Sequence, residues 1–188
     1  MRLLTLAASA SFTLAATAGC EKIPENELGR ADVGEPAAAS ATSLGETLAL
    51  RSDLSTYRQL VAHAGLEGPL EGASEYTVFA PTDDAFAALP DGVLAALMSE
   101  DGKVRAASLV TEQLVPGYVT RDDLRASVAA NGGSARLTTL GGSTLVVREQ
   151  DGKLLISNGD GQVVSMSNME VKSNNGVILP IDGLLIAQ

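Results

Sequence analysis

Apolar positions recur at helical spacing in the first part of the chain and at strand-like alternation in the last third. Ser52-Asp53 reads as a helix start, followed by Leu54, Tyr57, Leu60, Val61 and Ala64 on one face, with Gly65 as the stop. Glu75-Tyr76-Thr77-Val78-Phe79-Ala80 is a short β-rich run closed by Pro81. Thr82 then caps a new helix, with Asp83 and Asp84 in its first turn, Ala85, Phe86 and Leu89 on its buried side and Pro90 at its end. The spacing predicts further helices over 93–98 and 103–114, the second broken at Val115-Pro116-Gly117, and a brief helix that starts at Thr120-Arg121-Asp122-Asp123 and runs through Ser127.

From Ala135 the pattern changes to strands. Residues 136–140 and 143–148 flank Gly141-Gly142 as a hairpin, and Gln150-Asp151-Gly152 turns into a strand over 153–157. Asn158-Gly159-Asp160-Gly161 turns again into 162–165, and strands are predicted over 169–173, 176–179 and 183–186. Helices followed by antiparallel strands make the class α+β, built around a β-sandwich or a strongly twisted sheet.

The N-terminal part differs in kind. Residues 1–19 carry one basic residue, Arg2, before an uncharged stretch rich in Ala, Ser and Thr that is too short for a membrane span, which needs roughly 20 strongly apolar residues. This is the pattern of a secretory signal, so the mature protein is expected outside the cytoplasm. The single cysteine follows at once: Thr17-Ala18-Gly19-Cys20 resembles the bacterial lipobox, although an aliphatic residue is usual where Thr17 stands. Lipid attachment at Cys20 is the favoured expectation. Cleavage after Ala18, leaving an exposed thiol, is the alternative. Acyl chains would hold the protein at a membrane, each buried methylene contributing about 0.8 kcal/mol. Residues 20–43 are charged, then small and polar, with no hydrophobic period, and read as a tether with an r.m.s. reach of roughly 25–30 Å. Residues 44–188 form the folded domain.

Composition narrows the function. The chain has 188 residues, 13 Lys+Arg against 23 Asp+Glu, a formal net charge of −10 and 45% hydrophobic residues, enough for a packed core. Its acidity and its three Tyr, three Phe and no Trp disfavour nucleic-acid binding and sugar stacking. One Cys and one His exclude a disulfide framework and a Cys/His zinc cluster.

Two segments carry a family resemblance. Tyr76-Thr77-Val78-Phe79-Ala80-Pro81-Thr82-Asp83-Asp84-Ala85-Phe86 resembles the first signature box of fasciclin-like domains, and Asn175-Gly176-Val177-Ile178-Leu179-Pro180-Ile181-Asp182-Gly183-Leu184-Leu185 resembles the second. Val115-Pro116-Gly117 and Leu137-Thr138-Thr139-Leu140-Gly141-Gly142 fall between them in the family's order. The resemblance spans essentially everything after the tether. It implies a wedge-shaped β-sandwich flanked by N-terminal helices, and adhesion as the role. The boxes themselves read mainly as fold determinants: a helix start at Thr82-Asp83-Asp84, Phe79 and Phe86 closing one end of the core, and glycine turns at Asn175-Gly176 and Asp182-Gly183. The chain departs from the family where a Tyr-His pair is common, holding Glu112 and Gln113, and where a second His is common, holding Leu179 and Pro180. The Tyr-His segment is the one associated with integrin contact in animal relatives, so integrin binding is not carried over.

No catalytic constellation is visible. His63 ends the first helix, where the dipole favours it. Asp83/Asp84 and Asp122/Asp123 are adjacent pairs at helix starts whose side chains diverge. Asp151, Asn158 and Asp160 lie in turns that lack the length and terminal Glu of a calcium loop. Gly141-Gly142 is a hairpin turn rather than a phosphate cradle. The expectation is a non-enzymatic extracytoplasmic binding module with no cofactor and no metal. It would be lipid-anchored at the bacterial envelope, in the periplasm or at the cell surface, and mediate adhesion or contact with a protein or matrix partner. The alternatives are a periplasmic small-ligand receptor or an accessory subunit of an envelope enzyme, and, more remotely, a hydrolase using Asp83. A receptor would show a deep apolar pocket, and an adhesive module a shallow exposed patch.

Overall fold

The structure, a computed structural model, describes residues 42–159 and 161–185. The signal segment, Cys20, nearly all of the tether and Asp160 lie outside the described residues. Among the described residues, seven helices and eight strands follow in chain order: α1 (Leu44–Ala49), α2 (Ser55–Ala64), α3 (Glu67–Glu71), β1 (Tyr76–Pro81), α4 (Asp83–Ala87), α5 (Val93–Leu97), α6 (Lys103–Glu112), β2 (Leu114–Pro116), α7 (Arg121–Ala130), β3 (Ser134–Thr138), β4 (Thr144–Gln150), β5 (Lys153–Ser157), β6 (Val163–Ser165), β7 (Val171–Ser173) and β8 (Gly176–Ile181). Short 3₁₀ turns at Ser52–Leu54 and Glu100–Gly102 lead into α2 and α6.

The strands form two four-stranded sheets, in the orders β2-β1-β8-β7 and β3-β4-β5-β6. Every residue of β8 and all but Tyr76 of β1 are buried, which explains their near-continuous apolar runs. Strand alternation divides those side chains between two cores. Val78, Ala80 and Ile178 face the helices together with Leu44, Tyr57, Leu60, Phe86, Leu109 and Leu114. Phe79, Val177, Leu179 and Ile181 face the second sheet, meeting Leu145, Val147, Leu154 and Ile156. The first sheet is therefore the middle layer, helices on one face and the second sheet on the other. Phe79 and Phe86 do not share one core as expected; the first fills the inter-sheet core and the second the helical one.

Sheet register supplies three further corrections. β1 and β8 pair in parallel, Tyr76 opposite Gly176 through Pro81 opposite Ile181, so the strands are not all antiparallel. The helix predicted over 103–114 stops at Glu112, because Leu114 and Val115 pair with Val78 and Thr77 as an edge strand. The strand predicted from Gly183 is absent in residues 183–185: Asp182 bonds both backbone groups of Ser165 (2.6 and 3.0 Å) and turns the chain, after which Leu184 enters the helical core and Leu185 the inter-sheet core. Asp182 thereby also occupies the outer edge of β6, closing a free ladder position. The Asp151-Gly152 turn is as predicted, with φ of 52° and 75°, the geometry of a tight two-residue hairpin.

The sheets are stitched at both sides. Leu140 N–H reaches across to Leu114 O at 2.7 Å, and Met166 bridges Ile181, with Ser167 N–H on Pro180 O at 2.8 Å. Leu140 thus leaves its own hairpin, and β3 ends at Thr138 rather than at 140.

One buried amide fixes the helical layer to the sheets. Asn175, in the turn between β7 and β8, accepts from Leu44 N–H (2.7 Å) and donates to Leu70 O (2.9 Å) and Gly72 O (2.7 Å). It satisfies the free N-terminal end of α1 and the C-terminal end of α3 together. Gly176 beside it is required by close packing rather than by a turn: a Cβ there would run into the Tyr76 carbonyl and the Leu44 side chain. Asn175→Ala would strand two buried backbone groups, Leu44 N–H and Leu70 O, each costing about 1–3 kcal/mol, and the partly buried Gly72 O, with partial relief from water. The expected loss in urea unfolding is about 3–5 kcal/mol; a loss under about 1 kcal/mol would contradict the clamp.

Candidate functional site

Each side chain that the sequence marks for possible chemistry has a place in the fold, and most of them cap backbone. Thr82 is the N-cap of α4, accepting from Ala85 N–H at 3.4 Å. Asp83, one residue on, turns away from its own helix to accept from Thr56 N–H and Ser55 Oγ, both at 2.8 Å. It therefore caps the start of α2, 27 residues earlier in the chain. Burial pushes the Asp83 carboxyl up, but these hydrogen bonds outweigh it and leave its pKa below the ordinary carboxylate value. Asp84 is exposed, so the pair does not converge.

Asp123 closes a capping box with Thr120, accepting from the Thr120 N–H (2.9 Å) and hydroxyl (2.6 Å), and these bonds lower its pKa. Asp122 points to solvent, 3.8 Å from Arg125. His63 sits on the last turn of α2 with Nε2 3.0 Å from Ser99 O, tying that helix to the turn before α6. Asn158 Oδ1 accepts from Gln162 N–H at 3.1 Å inside its own turn. Thr77 is fully buried between the sheets, donating to Gly117 O (2.7 Å) and accepting from Val119 N–H (2.9 Å). These residues are scattered over the fold. Among the described residues no three His, Cys, Asp or Glu side chains are placed to share a metal ion. Cys20 lies outside the described residues.

Two polar residues that the sequence does not mark as buried lie inside the fold. Arg121, 6% exposed at the start of α7, sends its guanidinium to Ser167 O and to Asn168 Oδ1 (3.1 Å), while its backbone N–H donates to Glu170 at 2.6 Å. Burial, then the nearby Arg125, lowers its pKa. This cation pins the loop between β6 and β7 to α7. Gln113 is fully buried where α6 passes into β2, and neither amide atom has a partner among the described residues; the hydroxyl of buried Tyr57 is in the same state. Its sequence neighbours, polar Thr111-Glu112 on one side and apolar Leu114-Val115 on the other, give no local signal of its burial.

A wide-open depression of about 540 Å³ lies outside α5 and α6, lined by Ala96, Ser99, Asp101, Gly102, Val104, Arg105 and Ser108. It mixes polar and apolar groups and lacks the enclosed apolar walls of a small-ligand site. No helix among the described residues is long and apolar enough to cross a membrane.

The comparisons with known proteins agree with this geometry. The model of the Fasciclin domain family matches residues 52–187. Protein sll1483 of Synechocystis is 32% identical over 154 residues, covering 82% of this chain and 78% of the relative. Human periostin is 31% identical over 145 residues, 77% of this chain but 16% of periostin. The solved FAS1 domain pair from the insect cell adhesion molecule fasciclin I superposes with a TM-score of 0.68 at 20% identity, over 79% of this chain and 52% of the pair. The chain thus spans most of the cyanobacterial relative and only a part of the animal proteins.

Two outcomes are expected. A carboxylate whose pKa falls on folding adds stability that is complete above its unfolded pKa, about 3.9, and is lost as pH falls through the folded value. Asp83→Asn should therefore be less stable than the parent at neutral pH and lose stability less steeply on acidification below about pH 4. Parallel pH profiles of the urea midpoints would contradict the assignment. Gln113→Met, which removes two unpartnered buried atoms at similar volume, should leave stability unchanged or raise it by up to about 2 kcal/mol; a clear loss would show that the amide is satisfied.

Proposed function

We propose, from the premise that this chain belongs to the fasciclin domain family, that it is a non-enzymatic binding module held at the outer side of a bacterial membrane and mediating adhesion or protein contact. The observation that carries this reading is the match of residues 52–187 to a domain found in a cell adhesion molecule. The disposition of polar groups supports it. General acid–base work needs a carboxylate or imidazole free to face a substrate. Asp83, Asp123 and Asp182 are engaged with backbone N–H groups instead.

The anchor belongs to the same proposal. Cys20 is the chain's single cysteine, and small residues precede it. Lipid on its sulfur would fix the domain at a surface, and residues 21–43 would set its distance from that surface. Contact would then be made by the outside of the fold. A module of this kind needs a firm attachment and a presented face, and the sequence supplies the elements of both.

The test compares cells with the gene intact, deleted, and restored as Cys20→Ala. The intact strain should retain the protein in the membrane fraction and attach to surfaces or to one another more than the deletion strain. Cys20→Ala should release the protein into the soluble fraction and attach like the deletion strain. Equal attachment by all three strains would refute adhesion through an anchored module.

A further inference from the structure

The outer face of the second sheet carries a charge pattern opposite to that of the chain. Alternation along β3–β6 turns Ala135, Leu145, Val147, Leu154, Ile156 and Val164 into the inter-sheet core. Arg136, Val146, Arg148, Lys153, Leu155 and Val163 are left on the other face. The strand positions of that face bear three cations and no carboxylate, in a chain of net charge −10. Glu149 belongs to the opposite face and bridges Arg125 on α7 at 3.4 Å. Arg136, Arg148 and Lys153 are exposed, and none has an ion-pair partner among the described residues.

Register arranges these cations in a line. Arg136 lies opposite Val146, Arg148 is two residues further along β4 and opposite Leu155, and Lys153 is two residues beyond Leu155 in the same direction. Each step crosses one strand spacing and two residues, so the row climbs diagonally in steps of about 8 Å and spans roughly 17 Å. Val146 and Leu155 are half-buried beside it, and Val163 is 59% exposed on the next strand.

We propose that this face is a docking surface for an extended, carboxylate-bearing peptide segment of a partner protein. The row would pair with acidic side chains, and Val146 and Leu155 would pack against apolar ones between them. Charge complementarity and size select that occupant. The face measures roughly 14 by 17 Å from strand spacing and rise, far below the ~800 Å² that each partner buries in a stable globular complex. An extended chain crossing the row presents same-side side chains every ~6.8 Å, within reach of flexible Arg and Lys. A long uniform polyanion would overrun the row and meet the net-negative remainder of the domain. None of the chain's six aromatic rings lies on β3–β6 to stack a sugar or a base. The site rests on the binding-module reading and gives it a surface; a purified-component assay can fail while attachment by cells stands, and the reverse.

The test is fluorescence anisotropy of a labelled peptide of alternating Glu and Val, titrated with the full chain at low ionic strength, where charges are screened over about 10 Å or more. Saturable binding is expected. It should weaken about 3–10-fold in each of Arg136→Gln, Arg148→Gln and Lys153→Gln and be lost in the triple variant, while Arg105→Gln on α6 stays within about twofold of the parent. Three results would overturn the proposal: a triple variant that binds like the parent, a Gln-for-Glu peptide that binds as tightly, or an Arg105→Gln loss as large as that of Arg148→Gln. Tighter binding of polygalacturonate or DNA than of the peptide would overturn it too, by assigning the row to another class of polymer.

Discussion

Three backbone groups from two separate segments, the start of α1 and the end of α3, converge on the side-chain amide of Asn175, and the layered arrangement depends on that convergence. Helices α1–α3 meet the first sheet mainly through aliphatic side chains, which attract but do not fix an orientation. Directional bonds from one buried amide to Leu44 N–H, Leu70 O and Gly72 O add the missing specificity. Gly176 lets the Tyr76 strand pass close enough for the amide to reach. The parallel pairing of β1 with β8 then sets which side chains enter each core. Asp83 performs a related task between α2 and α4, Thr77 between β1 and the turn before α7, and Asp182 between β6 and β8. Polar residues of both signature boxes thus act as caps for chain ends that sequence places far apart.

This division of labour bears on function. The Asp83 carboxylate, which accepts from the Thr56 backbone amide and the Ser55 hydroxyl at 2.8 Å, is stabilised as an anion at the junction of α2 and α4. The motifs that identify the fold are accordingly turned inward. Groups free to meet a partner lie on outward positions that carry no motif, such as the diagonal of Arg136, Arg148 and Lys153. A shared scaffold does not by itself set what a domain contacts.

Local signals were read directly from the chain. The helical period through Tyr57, Leu60 and Val61, the Thr82 cap and the Asp151-Gly152 hairpin all appear where the pattern puts them. The two-layered strand region behind N-terminal helices matched as well. Helix α1 is too short to stand out by its hydrophobic period, although Ser43 and Glu46 form a capping box three residues apart, and Gly68 and Pro69 mask α3. Nonlocal features were not legible. Nothing near Val78 specifies a parallel partner 100 residues away at Ile178. The run Gly183-Leu184-Leu185 reads as a strand until Asp182 is known to bond Ser165. The cation row needs the relative register of three strands, which hydrophobic alternation alone does not supply.

Amide hydrogen exchange at Leu44 tests the central claim most directly, because that N–H donates to Asn175 Oδ1 inside the core. If the amide clamp holds the helical layer to the sheets, Leu44 exchanges only through global unfolding, at the rate of the amides in the middle of β8. Exchange at Leu44 several orders of magnitude faster than in β8 would mean that α1 opens on its own and that the amide does not hold the helical layer.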